Sequence, residues 1–339
     1  MKILVVRLDH LGDLLLTTPL VRALAVAGHD VDVLVRRAVA PVFAHSPHVR
    51  NCVSIEEVAP EFPRGWWALS RWLRSQKYDL IILAYAKEKR LCFASAFSGT
   101  RRRIAMWSGL WGRLTLHRCL RSEILTDPRP FSQILLHCAE AVGAPAQGIV
   151  PELFLSDAER TAARALIPPS LAGRTLIGIH PGSAGNACNL PSKIYAELAA
   201  QVLQETECGI VLTGVAAEAS LLTDWPAEVL QSERIWNAVG KLDLRQLAAV
   251  IGQLNVYVCS STGPLHIASA LGIGTVSPFC PEVPLNAAIW GNVGALARVI
   301  EPANCPRRTG QDACCDFRGE ISAGQLLTEI RDLLGADRK

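Results

Sequence analysis

Apolar residues in this chain come in short runs, and leucine-rich stretches of helical period lie between them. Lys2–Arg7 is an apolar run, Val31–Val35 is short and β-branched, and Tyr78–Ala84 reads Tyr-Asp-Leu-Ile-Ile-Leu-Ala; each predicts a buried strand. Arg102–Ala105 reads as an edge strand, and Leu14–Val26 carries leucines at helical spacing. The second half repeats the scheme, with strands expected at Thr175–His180, Gly209–Thr213, Val256–Cys259 and Thr275–Pro278 and helices at Lys193–Glu205 and Leu244–Leu254. Strands that alternate with helices predict parallel sheets joined by right-handed crossovers.

The length of 339 residues suggests two domains. The segment Ile167-Pro-Pro-Ser-Leu-Ala-Gly-Arg174 cannot continue a helix, so it reads as the linker. The expected division is therefore residues 1–166, a linker at 167–174, and residues 175–339. Ser322–Leu334 has the pattern of an amphipathic helix, which leaves open packing on either domain, including a return to the first. The fold class expected is α/β: two Rossmann-like, doubly wound domains facing each other, their ligand loops at strand carboxyl ends along one crevice.

Composition narrows the class. Half of the residues are hydrophobic and 19% are charged, enough apolar material for two cores. No apolar run reaches the roughly 18–20 residues that span a bilayer. Ile3–Val6 is too short for a secretory leader and is followed by Arg7 and Asp9, which points to cytoplasmic residence. The eleven cysteines fit a reducing compartment; Cys305, Cys314 and Cys315 lack the paired spacing of a zinc site, so no metal is expected. A net charge of +3 does not suggest a nucleic-acid partner.

Three strand-to-helix loops carry the candidate chemistry. Asp9-His10-Leu11-Gly12-Asp13 follows the first strand. Asp13 suits an N-cap as well as a general base, and Asp9 competes for the second role. His180-Pro-Gly-Ser-Ala-Gly185 follows a buried strand, and Gly182, Ser183 and Gly185 offer backbone and hydroxyl donors to a phosphate. His180 itself reads as a structural hydrogen-bonder. Ser261-Thr262-Gly263-Pro264-Leu265-His266 places hydroxyls, bare backbone and an imidazole at a helix start, where a pyrophosphate fits. Glu218, after Thr213-Gly214, suits either a ribose diol or a solvated helix start. Arg101-Arg102-Arg103 forms a basic cluster suited to an acidic acceptor or to plain solvation. Arg64–Arg74 mixes three tryptophans with arginines, as an interfacial helix does or as a helix packed on a sheet with its arginines outward does.

Taken in order, Ile3-Leu-Val-Val-Arg-Leu-Asp-His-Leu-Gly-Asp13 with Thr17-Thr-Pro19, Gly178-Ile-His-Pro-Gly-Ser183, and Ser260-Ser-Thr-Gly-Pro-Leu-His266 resemble glycosyltransferase family 9, the ADP-heptose:lipopolysaccharide heptosyltransferases. The resemblance implies a GT-B architecture and inverting transfer that needs no metal or other cofactor. It implies a nucleotide-diphosphate sugar donor, ADP-heptose, and a lipid A–core oligosaccharide acceptor, met at the inner face of the cytoplasmic membrane by a peripheral protein. By the same resemblance Asp13 is the base and the second domain holds the donor. The donor-site candidates are Gly12, Gly182, Ser183, Thr213, Gly214, Glu218, Ser261, Thr262, Gly263 and His266, with Arg101, Arg102 and Arg103 toward the acceptor.

Two positions depart from the family. Cys188 stands before Leu190-Pro191, where a lysine or arginine is common; a thiol cannot neutralise a diphosphate, and Lys193 is the nearby substitute. Ser261 stands where the better-known heptosyltransferases have aspartate. A nucleotide-sugar epimerase of GT-B architecture and a donor-binding homologue of weak activity are the alternative readings.

Overall fold

The computed structural model describes residues 1–85, 88–106, 110–116, 118–120, 128–183, 185, 188–302, 317 and 320–336. Cys305, Cys314 and Cys315 lie outside the described residues. The chain divides into two compact units, Met1–Phe154 and Leu155–Lys339.

The first unit is built on six parallel strands: β1 (Lys2–Val6), β2 (Asp30–Val35), β3 (Asn51–Ser54), β4 (Leu80–Leu83), β5 (Arg102–Met106) and β6 (Arg118–Leu120), in the order β3-β2-β1-β4-β5-β6. β1 is central: Val5 stands opposite Val33 on one side and Ile82 on the other. Ile3, Leu4, Val5 and Val6 are all buried, which is why the run is apolar without alternation. β5 is not an edge strand, because β6 pairs with it through Ile104 and Arg118.

The expected helix over 14–26 is two helices, Leu11–Leu15 and Thr18–Val26. Pro19 causes the break. It has no N–H to offer Leu15, and the Thr18 hydroxyl donates to the Leu15 carbonyl instead, at 2.7 Å.

The second unit repeats the topology. Its strands are β7 (Leu176–His180), β8 (Gly209–Leu212), β9 (Ile235–Asn237), β10 (Val256–Cys259), β11 (Gly274–Pro278) and β12 (Ala297–Ile300), all parallel, in the order β12-β11-β10-β7-β8-β9. Read from β9, this is the strand order of the first unit. Each unit therefore reverses direction once, between β1 and β4 and between β7 and β10, the places where doubly wound sheets bind ligands.

Residues 167–174 sit inside the second unit. Leu171 is buried there against Gly209, whose missing side chain makes the room. The helix Asp157–Leu166 is held to the helix Leu244–Ile251 by Arg245, which donates twice to the Glu159 carboxylate at 2.7 and 2.8 Å. The C-terminal helix Ala323–Ala336 buries Leu326, Ile330 and Leu333 on the helix Ser192–Glu205 and on β11. The sequence leaves its packing partner open; the structure puts that apolar face in the second unit.

Candidate active site

In the first unit the chemistry gathers where β1 ends. Arg7 continues the strand: its N–H donates to the Leu34 carbonyl at 3.0 Å. It is only 3% exposed, and its guanidinium lies over the rings of Tyr85 and Phe131 at 5.2 and 5.1 Å. A charge buried this far must be paired. Its Nη2 donates to Asp13 Oδ1 at 2.7 Å, and its Nε stands 3.0 Å from Asp9 Oδ2.

Asp13 is not the N-cap. The helix begins at Leu11 after His10, and Asp13 is its third residue, reaching back to accept the His10 N–H at Oδ2 over 3.3 Å. Both carboxylate oxygens are thus held, and the side chain keeps 18% exposure. That arrangement fixes the position of the carboxylate. Asp9 is different in character. Burial pushes its carboxyl above the ordinary range, and the charge of Asp13 adds to this while Arg7 opposes it. Gly12 lies within the helix, its carbonyl accepting from the Leu16 N–H at 3.0 Å.

Arg101, Arg102 and Arg103 are not brought to Asp13. Arg102 is level with Leu80 of β4, which is level with Ile3 of β1, so these arginines stand at the amino edge of the sheet. Four residues of strand, about 13 Å, separate that level from Arg7. Arg103 is also engaged, donating to the carbonyls of Thr115 and Thr100.

In the second unit two loops meet at the ends of β7 and β10. His180 is buried; its Nδ1 lies 3.2 Å from the Thr213 hydroxyl, which lies 2.6 Å from the Tyr257 hydroxyl. On its other side Nε2 is 3.9 Å from Glu218 Oε2. Burial lowers the pKa of His180, and Glu218 opposes this. The imidazole therefore joins a chain of contacts that links β7, the end of β8 and β10, the structural role its position suggests.

Glu218 takes the Val215 N–H on Oε2 at 2.8 Å. It packs so closely on Gly182 that any Cβ at 182 would overlap the carboxylate. A side chain at 182 would therefore displace the Glu218 carboxylate from its present place, and Gly214 is tight against the same group. Ser183 is half-buried, and Gly185 adopts φ +77°, a conformation that glycine tolerates best.

The third loop is anchored from beneath. The Ser260 hydroxyl is 3.0 Å from Tyr195 Oη and also takes the Leu190 N–H at 3.4 Å, and Asn189 Nδ2 donates to the Pro181 carbonyl at 2.8 Å. Ser261, Thr262 and Gly263 are half-buried beside it, and the Thr262 side chain does not cap the helix Gly263–Ala270 that it begins. His266 is 4% exposed, packed inward from that helix.

The two departures have a structural explanation in part. Cys188 is 4% exposed, a member of the apolar core of the unit. Lys193 points to solvent and pairs with Glu197 at 3.8 Å, so it is not turned toward the loops.

Motif reading gives no role to Asn189, Tyr195 and Tyr257, nor to Arg7 and Ser260, although these two stand within the quoted motifs. For Arg7 the signal was present: a charge inside an apolar, fully buried run demands a partner. The others are ordinary core-compatible residues whose hydroxyls and amides matter only through what the fold sets beside them.

Among the described residues no helix is long and apolar enough to cross a membrane. The family profile described as glycosyltransferase family 9 (heptosyltransferase) matches residues 66–311, a stretch that begins downstream of Asp13. Over 305 residues the chain is 26% identical to lipopolysaccharide heptosyltransferase 2 of Escherichia coli, covering 84% of each protein. With lipopolysaccharide heptosyltransferase 2 of Salmonella typhimurium it shares 27% identity over 169 residues, and here the alignment spans 48% of that relative's length. The solved structure of E. coli ADP-heptose lps heptosyltransferase II superposes with a TM-score of 0.80 at 22% identity over the full length of both chains, a likeness of fold. Two Rossmann-like units of α/β, GT-B type and a profile match over well over half of the residues lead to one conclusion: the chain belongs to glycosyltransferase family 9, the heptosyltransferases.

Proposed function

We propose that this glycosyltransferase moves a heptosyl residue from ADP-heptose to a hydroxyl of the lipopolysaccharide inner core, with inversion and without a divalent metal. The observation that carries the reading is the Asp13 carboxylate, held on both oxygens by Arg7 and the His10 N–H at the carboxyl end of β1. A group fixed in this way can take the acceptor proton as the oxygen–carbon bond forms. The acceptor oxygen attacks the anomeric carbon from the face opposite the diphosphate. The carbon–oxygen bond to the diphosphate breaks, and ADP leaves with the bonding pair.

The second unit suits the leaving group. Gly182, Ser183 and Gly185 offer close backbone and hydroxyl approach, and the helix at Gly263 presents its positive end behind Ser261 and Thr262. His266 supports that helix start from its buried face. Thr213 and Gly214 shape the strand end on which Glu218 is set, and Glu218 suits the ribose diol. The acceptor is lipid-borne in this reading, so the protein works as a peripheral protein at the inner face of the cytoplasmic membrane.

The test uses purified chain, ADP-heptose and a heptose-deficient core acceptor. Asp13→Asn should leave ADP binding intact and lower turnover by at least ~100-fold, the scale of a positioned base. Normal turnover would remove Asp13 from the role. A chelator should leave the rate unchanged; a rate restored only by added metal would overturn the metal-free step. A new nucleotide sugar formed without acceptor would indicate an epimerase instead.

A further inference from the structure

The helix Trp66–Gln76 carries three tryptophans, and its packing separates them. Trp72 is half-buried with its ring 6.2 Å from that of Tyr78, and Trp66 is half-buried against the core. Trp67 turns outward at 56% exposure and stacks on Trp66 with centroids 3.9 Å apart. Phe97, which follows the helix Lys89–Ala96, is 50% exposed and sits 5.3 Å from Trp67. Two large rings from different helices therefore share one solvent-facing patch. Isolated apolar side chains on a surface are ordinary, but a joined aromatic patch marks an interaction site.

The chain passes directly from Phe97 into a basic cavity. Ser98, Gly99, Thr100, Arg101 and Arg102 line it with Arg74, Lys77 and Asp79, around an open hollow of about 720 Å³. Four cations there face a single carboxylate, and Asp79 already accepts the Lys2 N–H at 2.7 Å. Among the described residues none of the four cations pairs with a carboxylate. Arg102 donates to Met1 Sδ at 3.3 Å, a weak acceptor. These cations lie at the amino edge of the sheet, away from Asp13.

We propose that this face of the first unit docks on an anionic phospholipid bilayer, with Trp67 and Phe97 seated at headgroup depth and the cavity receiving lipid phosphates. The pairing of the two features selects that occupant. A free phosphate would use the cavity and leave the aromatic patch without a role, whereas a bilayer offers apolar depth and negative charge together. The inference names the surface for the peripheral membrane contact of the reading above and rests on it for purpose only.

The test is flotation of the full chain with vesicles of phosphatidylcholine and phosphatidylglycerol, against vesicles of phosphatidylcholine alone. The wild-type chain should bind the anionic vesicles and lose them as salt rises. Trp67→Ser with Phe97→Ser should weaken binding by about tenfold. Arg74→Gln, Arg101→Gln and Arg102→Gln together should weaken it by about 100-fold and flatten the salt dependence, at about fivefold for each basic side chain. Millimolar inorganic phosphate should not release the protein. Absence of wild-type binding, release by phosphate, or binding unchanged in both variants would overturn the proposal. Transfer to a water-soluble, deacylated core acceptor separates the two readings. The aromatic variant should keep the wild-type rate there, and a fall in that rate together with unchanged vesicle binding would count against the surface. If the wild-type chain transfers nothing yet floats as described, the surface stands and the transfer reading fails.

Discussion

β1 and β7 hold the same place in two sheets of the same strand order, yet the residues that follow them differ in kind. After β1 comes a buried guanidinium with two carboxylates drawn to it, Asp9 and Asp13. After β7 comes a loop of small residues, packed so closely on Glu218 that a side chain at position 182 would displace its carboxylate. One switch point concentrates charge and fixes a carboxylate; the other strips side chains away and exposes backbone. The comparison teaches that strand order decides where a ligand loop stands, and the few residues beyond the strand decide its chemistry.

The comparison can be broken most sharply at Asp13. Asp13→Asn should cost at least ~100-fold in turnover, about 2.7 kcal/mol of barrier, with ADP affinity unchanged by calorimetry. A parallel loss of ADP binding would mean that the two ends of the chain do not divide the work. Next comes Gly182→Ala, which forces the Glu218 carboxylate to move. It should lower stability by about 1–3 kcal/mol and weaken ADP binding, and Gly182→Ala with Glu218→Ala should recover the stability but not the affinity. Thermal melts and titrations read both.

Arg7→Lys keeps the buried charge but replaces a fork that reaches two carboxylates with a single ammonium. Turnover should fall by about tenfold, near 1.4 kcal/mol, while ADP affinity holds. An unchanged rate would show that Asp13 needs no such support. The smallest effect is expected at Glu159, which the Arg245 hydrogen bonds hold down from 4.5 to about 2. A carboxyl lowered in the folded state adds stability above its unfolded value and loses it as pH falls. Glu159→Gln should therefore lower stability by about 1 kcal/mol at neutral pH, and the gap should close between about pH 4.5 and 2. A gap that persists in acid would assign the effect to packing.

Much of the fold is legible in the residues because parallel strands buried on both faces leave uninterrupted apolar runs. β1, β4, β7, β8 and β10 are of that kind. The strands without a sequence signal are β3, β6, β9 and β12, which close the ends of the two sheets. They are short and partly exposed, so they carry neither a long apolar run nor a clear alternation. The boundary between the units is obscured for a related reason. The helix Asp157–Leu166 buries only Ala163 and attaches to the second unit through the Glu159–Arg245 pair, which no local pattern announces.

The candidate site divides along the same line. Gly182, Ser183 and Gly263 are visible as small, flexible loop residues, because glycine and hydroxyl residues mark the turns that follow a strand. The arginines at 101–103 are adjacent in sequence, but it is the strand that carries them to the amino edge of the sheet, away from the level of Asp13. Charge density is read from neighbours in sequence, but a site is made by neighbours in space.

The linear order of residues alone settled the alternation of strand and helix, the family, and the places of the three candidate loops, because these depend on local period and local composition. Tertiary structure alone decided that Arg7 grips Asp13, that Glu218 fills the space glycine leaves at 182, and that Cys188 belongs to the core. It also decided that Trp67 and Phe97 meet on one surface. Each of these is a contact between groups that only packing of the sheet and its helices brings within reach, where burial makes an unpaired charge or an added methyl costly.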